Sequence, residues 1–350
     1  MAERSARIEQ YETVHYDANL NPLGIPASVR RAISENIVSI ARYPDVYYSN
    51  LKKAICSYTD VSMDSIVMGN GSVDLIKLFA ALIMPKKSMI LVPGPSEFAR
   101  VLTAYGSELV EFDLEEEKEF ELDVPAFIAA LDPSLDLVIL SNPNNPTSKR
   151  ITRDELKSIA DACKEKDIFF IVDEMYVEFL DDFEDVTAVP LVKEYENMAV
   201  LRSVSKFFAV PGLRFAYAIL SNQEYREIID LTTTKNNIAT LSAIAGTAMF
   251  RDRNYIEEGR SVIHTERSLV YLAMSTCRTI RLYKPQANFM LVRLLKEDLV
   301  AADVAEHCNR RGIIIRRCDD IKGLGEKYIR FAFMNPKQND LMVNTILEIV

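Results

Sequence analysis

The sequence predicts an α/β protein: a mostly parallel sheet covered by helices on both faces, followed by a smaller α+β unit. Three observations carry that reading. Between Ser88 and Leu220 short apolar runs alternate with helical patterns, as strands buried on both faces and their crossover helices do. Polar clusters directly follow three of the predicted strands, at Asn142 to Thr147, Asp173 to Tyr176 and Ser203 to Lys206. In open sheets of this kind, ligands sit beyond the C-terminal ends of the strands. After Ser221 the pattern turns helical and then mixes short strands with helices, so two units are expected for 350 residues.

In chain order, the residues through Tyr16 are polar and mixed. Asp17 to Pro26 holds two prolines, a glycine and two asparagines in ten positions, an ordered turn segment. Apolar residues at helical spacing predict a helix from Ala27 to Ile40, broken by Tyr43-Pro44-Asp45, and a second from Tyr47 to Tyr58. Met68 to Ser72 is a glycine turn that opens the apolar helix Val73 to Ile83. Buried strands are expected at Ser88–Val92, Leu109–Phe112, Leu137–Leu140, Phe169–Val172 and Phe215–Leu220, with helices at Phe98–Tyr105 and Arg153–Lys166. Helices follow at Glu224–Thr233, Ile238–Phe250 and about Tyr255–Thr276. The last part predicts strands at Phe289–Val292, Ile313–Ile315 and Tyr328–Phe333, and helices at Leu299–Arg310 and Lys337–Ile349. The acidic run Glu115 to Glu119 reads as a solvated loop. We divide the chain into an N-terminal arm and small-domain segment at 1–35, a large domain at 36–250 and a C-terminal small domain at 251–350.

Composition narrows the function. A net charge of -10 argues against a nucleic-acid binder, which needs a basic face to displace counterions from phosphates. No apolar run approaches the roughly 20 residues that span a bilayer, and the start lacks the apolar core of a signal peptide, so a cytoplasmic protein is expected, away from membranes. Cys56, Cys163, Cys277, Cys308 and Cys318 are an odd count without a Cys-x-x-Cys pair, and read as reduced thiols. His15, His264 and His307 are too dispersed for a metal site, and none is expected.

The stretch Leu201 to Tyr217 organises the chemistry. It sets Lys206 between Ser203 and Ser205 on one side and a Pro-Gly turn followed by Arg214 on the other, among apolar residues. A lysine held in an apolar setting beside an arginine is disfavoured as an ammonium, which makes its amine a nucleophile suited to Schiff-base chemistry. Taken alone, it reads more readily as a solvated loop lysine. Asp173 ends an apolar strand, where an unpaired carboxylate costs several kcal/mol, about the penalty of a buried ion, so a cationic partner is expected. A pyridinium nitrogen fits, and so does a structural arginine. Tyr176 and Asn145 can donate to a phenolate oxygen. Arg214, Ser203, Ser205 and the N–H groups of Ser72 and Val73 can hold a phosphate.

With these residues in place, the chain resembles the fold-type I pyridoxal-phosphate enzymes of the aspartate aminotransferase superfamily. It is most similar to the branch of histidinol-phosphate aminotransferase and threonine-phosphate decarboxylase. The similarity runs through Asn19 to Gly24, Arg42 to Asp45, Gly69 to Ser72, Asn142 to Thr147, Asp173 to Tyr176, Ser203 to Arg214, Gln286 to Phe289 and Tyr328 to Arg330. It implies a large cofactor-binding domain built on a seven-stranded-type, mostly parallel sheet, with pyridoxal 5'-phosphate as cofactor. By the same resemblance Lys206 is the Schiff-base lysine and proton shuttle, Asp173 pairs with the ring nitrogen, and Asn145 and Tyr176 contact the ring oxygen. Phe98 holds the place of an aromatic stacked on the ring. Tyr43 matches a tyrosine that reaches the cofactor phosphate across a dimer interface, implying a homodimer with shared active sites. Arg330 matches the arginine that grips the substrate's α-carboxylate, Arg316 is the candidate for a second anionic group, and Asn21 joins Asn145 among the substrate-binding residues.

Some positions depart from the family's pattern. Ser148 replaces the glycine of Asn-Pro-Thr-Gly, and Val73 replaces a more usual Asp without affecting its backbone N–H. Leu20 stands where histidinol-phosphate aminotransferases commonly carry Glu, and an apolar residue there resembles the decarboxylases. The resemblance implies that the bond held perpendicular to the ring plane breaks, so the grip of Arg330 on the carboxylate sets the reaction. The expected function is transamination of a small amino compound bearing a phosphate or phosphonate, with decarboxylation of a phosphorylated amino acid as the alternative. A catalytically silent relative would be expected to have lost Lys206, Asp173 or Arg214, and all three are present.

Overall fold

The computed structural model describes residues 13–232 and 236–350. The predicted polar start at 1–12 and the last residue of the predicted Glu224–Thr233 helix lie outside the described residues.

The strands are β1 (Val14–His15), β2 (Ile66–Gly69), β3 (Lys87–Val92), β4 (Glu108–Asp113), β5 (Leu137–Ser141), β6 (Phe169–Asp173), β7 (Met198–Ser203), β8 (Ala216–Leu220), β9 (Ile280–Leu282), β10 (Phe289–Leu294), β11 (Ile313–Ile314), β12 (Arg316–Arg317) and β13 (Tyr328–Ala332). The helices are α1 (Ala27–Glu35), α2 (Ser49–Thr59), α3 (Ser72–Ile83), α4 (Ser96–Ala104), α5 (Val124–Ala130), α6 (Arg153–Glu165), α7 (Phe183–Val186), α8 (Gln223–Thr232), α9 (Thr240–Met249), α10 (Arg253–Met274), α11 (Ala301–Asn309) and α12 (Pro336–Leu347).

Seven strands form one sheet in the order β2-β8-β7-β6-β5-β3-β4. All run parallel except β8, which is antiparallel to both its neighbours. The apolar runs sort by alternation into two cores. Val138, Leu140, Phe170, Val172 and Val200 face one apolar cluster, and Leu137, Ile139, Phe169, Ile171 and Leu201 face the other. Each such side chain contributes about 1.5–3 kcal/mol on burial, which is why a two-sided sheet needs no polar face. Helix boundaries follow local chemistry. Thr152 and Glu155 make a reciprocal capping box at the start of α6, and Asp123 caps α5 by accepting from the Ala126 amide.

The C-terminal part forms a four-stranded antiparallel sheet in the order β12-β13-β10-β9. Helices α10, α11 and α12 pack together beside it. β1 and β11 pair in parallel as a separate two-stranded sheet, which ties the N-terminal segment to the C-terminal part. Among the described residues, no helix is long and apolar enough to cross a membrane.

Three expectations are corrected. The helix predicted for Ala27 to Ile40 stops at Glu35, where the Asn36 side-chain amide donates to the Ala32 carbonyl at 2.9 Å and a 3-10 turn takes over at Ile37–Ala41. β1, β2, β7, β9 and β12 lie outside the ranges given for the expected strands, and all but the central β7 are short strands at sheet edges. The acidic run is not simply solvated. Glu116 accepts from Arg293 at 2.7 and 2.8 Å and pairs with Arg281, joining the large unit to β9 and β10.

Candidate active site

The ends of the parallel strands converge on one cavity of about 360 Å³. Ser72 and Val73 enter it after β2, Gly94 to Phe98 after β3, Asn145 after β5, Asp173, Met175 and Tyr176 from the end of β6, and Ser205 and Lys206 after β7. Arg214 arrives from the turn before β8, and Arg316 and Arg330 from the smaller sheet.

Helix α3 opens at Gly71, whose φ of +90° disfavours a side chain. A Cβ there would stand 2.2 Å from Nη2 of Arg214, so the glycine lets the guanidinium lie against the helix start. Among the described residues the first amides of α3, at Ser72 and Val73, donate to no protein group. Among the described residues Arg214 has no carboxylate partner, and it sits in the left-handed region at φ 50°, a conformation that costs about 1–2 kcal/mol in a non-glycine residue. These groups together make an anion cradle.

Asp173 is the most informative group. It is buried, and its one hydrogen bond among the described residues comes from the Met175 amide at 3.1 Å. Burial pushes its carboxyl up to about 7, with Glu174 and Glu97 adding to the shift and the Met175 amide opposing it. The cationic partner expected for it is absent from the described residues. The cavity in front of it is therefore suited to a cation.

Tyr176 is buried edge-on to Phe289, with ring centroids 5.0 Å apart, and accepts from Asn19 Nδ2 at 3.3 Å, which leaves its O–H to donate. Phe98 lines the cavity from the first turn of α4. Asn145 accepts from Arg330 Nη1 at 2.5 Å through Oδ1, leaving its Nδ2 amide available. Lys206 donates from Nζ to the Ala18 carbonyl at 2.7 Å, and its own carbonyl accepts from the Asn21 amide at 3.0 Å. Arg330 is buried, donates from Nη2 to the Asp17 carbonyl at 2.8 Å, and has a buried Nε without a partner among the described residues. Burial holds its guanidinium below the usual arginine range. A guanidinium bound to neutral acceptors and an unmatched carboxylate line one cavity, which suits a ligand carrying both charges.

Residues 13–346 match the family described as aminotransferase class I and II. The chain belongs to that family. Threonine-phosphate decarboxylase of Salmonella typhimurium is 31% identical over 339 residues, covering 97% of this chain and 92% of the relative. Histidinol-phosphate aminotransferase 2 of Archaeoglobus fulgidus is 30% identical over 339 residues, 97% and 93% of the two chains. The crystal structure of the histidinol-phosphate aminotransferase from Clostridium acetobutylicum superposes with a TM-score of 0.89 at 32% identity, covering 96% of this chain and 98% of that one. The aspartate aminotransferase-like fold expected from the sequence is thus the fold observed.

Three expected site residues of this aminotransferase-family chain lie elsewhere. Asn21 does not line the cavity: its Nδ2 donates to the Phe207 carbonyl at 2.9 Å and its Oδ1 accepts from the Leu23 amide. Its work is to fix the turn that holds Lys206. Ser203 stands one layer back, its hydroxyl 2.8 Å from that of Ser205, so Ser205 is the hydroxyl that faces the cavity. Tyr43 is 89% exposed and lines no part of its own chain's cavity.

Other participants were missed by sequence reasoning. The Asp17 and Ala18 carbonyls hold Arg330 and Lys206, but backbone acceptors leave no trace in residue type. Glu97, in the first turn of α4, gives only the signal of an acidic residue near a helix start. Asp320 is legible as the fourth residue after Arg316 in Arg-Arg-Cys-Asp-Asp.

Proposed function

We propose that this protein is a pyridoxal 5'-phosphate enzyme that transaminates a small amino compound bearing a phosphate or phosphonate. The observation that carries the reading is Asp173, a buried carboxylate whose carboxyl is pushed up to about 7, facing the same cavity as the Lys206 amine and the Arg214 cradle. The residues fit the cofactor group by group. Asp173 would hold a protonated ring nitrogen, Tyr176 and the Asn145 amide the ring oxygen, and Phe98 a ring face. Ser205, Arg214 and the amides of Ser72 and Val73 would hold the phosphate. Ser203 supports them through Ser205.

When bound, the cofactor supplies an electron sink for the bond broken at the substrate's α-carbon. The chain does the rest. Lys206 supplies the amine for covalent attachment and, once free, carries the proton to and from the α-carbon. Arg330, which lines the cavity and is bound only to neutral acceptors, would grip the α-carboxylate. Arg316 meets the second anionic group.

We read the assembly as a homodimer in which Tyr43 completes the partner's site. Ile37, Val38, Ile40, Tyr43, Val46 and Tyr47 are all exposed within eleven residues, an apolar patch of the kind that marks an interface. The division at 1–35, 36–250 and 251–350 remains our reading of the domains. We place the protein in the cytoplasm, because none of its five cysteines is paired.

Two features favour decarboxylation of a phosphorylated amino acid as the second reading: the apolar Leu20 and the similarity to threonine-phosphate decarboxylase. The test has two parts. Purified protein should be yellow and lose its colour on borohydride, with covalent attachment absent in Lys206→Ala. Phosphorylated amino acids should then yield a keto acid only when an amino acceptor is added. Carbon dioxide release without an acceptor overturns transamination in favour of the second reading.

A further inference from the structure

Arg316 and Arg330 are partners across β12 and β13, so two guanidinium groups share one wall of the cavity. Like charges directly opposed on paired strands destabilise each other. The structure relieves the two in different ways. Arg330 meets only neutral acceptors, Asn145 Oδ1 and the Asp17 carbonyl. Arg316 already holds a carboxylate: its Nη2 lies 2.7 Å from both oxygens of Asp320. The α-carboxylate position is thus open, while the second anion position is filled by the chain itself.

We propose that Asp320 is a specificity-determining residue, an internal carboxylate that holds Arg316 until an anionic group on the substrate's side chain displaces it. The inference rests on the reading of Arg316 given above. Asp320 belongs to the loop after β12, whose Ile321 lines the cavity. Gly323, at φ +81°, seats that loop against the end of β3, where a Cβ would stand 2.8 Å from Val92 Cγ1. The loop is held in place, but the Asp320 side chain is 63% exposed and can turn into water without leaving a buried charge behind. Exposed ion pairs contribute little, so the exchange is cheap for a competitor that binds better. A phosphate, with more charge and three acceptor oxygens, is such a competitor. A neutral side chain offers nothing in return for separating the pair, so the device selects for doubly anionic amino substrates.

Asp319 is the internal control. It pairs with Arg317, which does not line the cavity. Calorimetric titration of inorganic phosphate into the cofactor-loaded enzyme tests the proposal. Asp320→Asn should tighten phosphate binding by about three- to fivefold, the ceiling set by a surface ion pair. Arg316→Gln should weaken it by roughly tenfold or more, the loss of a charge-assisted contact, and should abolish the effect of adding Asp320→Asn. Asp319→Asn should change nothing. Unchanged affinity in Asp320→Asn overturns the proposal, as does equal tightening in Asp319→Asn, which would mark a general charge effect. Failure of the parent reading looks different: a yellow, cofactor-loaded enzyme that turns over no phosphorylated amino substrate, with the phosphate affinities still in the expected order.

Discussion

Asp173 and Glu174 are adjacent carboxylates at the end of one strand, both buried, and the fold treats them in opposite ways. Glu174 accepts from Arg202 Nε at 2.8 Å, from the Thr187 hydroxyl at 2.9 Å and from the Ala188 amide at 2.5 Å. Arg202 in turn donates to Glu178 at 2.9 Å and to Thr187 at 2.8 Å. Burial works against the Arg202 charge, but the two carboxylates outweigh it and its pKa is raised. On the cavity side, Asp173 has one backbone amide. The contrast teaches how to tell frame from site. A buried charge whose bonds are filled by the chain holds the turn from Asp173 to Glu178 in shape. A buried charge left short is where a ligand completes the structure.

The comparison is most severely tested on the filled side. Arg202→Met should leave Glu174 and Glu178 buried without their cation and cost about 3–5 kcal/mol in denaturant unfolding. Adding Glu174→Gln and Glu178→Gln should recover part of that loss. A cost for Arg202→Met within the scatter of surface substitutions would show that the cluster is not the frame.

The short side should respond with the opposite sign. Asp173 has a folded pKa raised from 3.8 to about 7, so the folded state holds its proton where the unfolded state has lost it. Its penalty is absent below about pH 4, grows as pH rises, and is complete above about pH 7. In cofactor-free protein, Asp173→Asn should therefore raise stability at pH 8 by about 2–4 kcal/mol and not at pH 4, while weakening cofactor binding. Unfolding curves at the two pH values check the sign. A loss of stability at pH 8 would mean that the carboxylate has a partner within the chain.

A smaller effect is expected at the anion cradle. Gly71→Ala puts a Cβ against the Arg214 guanidinium at a positive φ, and should cost about 1–2 kcal/mol of stability. If the cradle is a ligand site, the loss in cofactor affinity should exceed the loss in stability, as read by titration and unfolding of the same sample.

Much of this was legible before the fold was known. The runs around Val138, Ile171 and Phe215 announce buried strands because burial demands apolar side chains in short, local stretches. The polar clusters after β5, β6 and β7 mark the cavity because parallel strands end on one edge. Asn21 and Ser203 were misread for a common reason. Each sits within a motif beside Lys206, but adjacency in sequence does not decide which way a side chain turns, and both turn into protein. Asp320 was passed over because an exposed acid near an arginine is ordinary until the arginine is seen to line a cavity.

By itself, then, the order of residues determined the layers and the strand edge where chemistry gathers, since both depend on local patterning, and its resemblance to a known family singled out Lys206, Asp173 and Arg214 as candidate reagents. Only the tertiary structure decided which charges are satisfied. Satisfaction depends on groups brought close by folding, such as Arg202 reaching back to Glu174 and Asp17 offering its carbonyl to Arg330 across most of the chain.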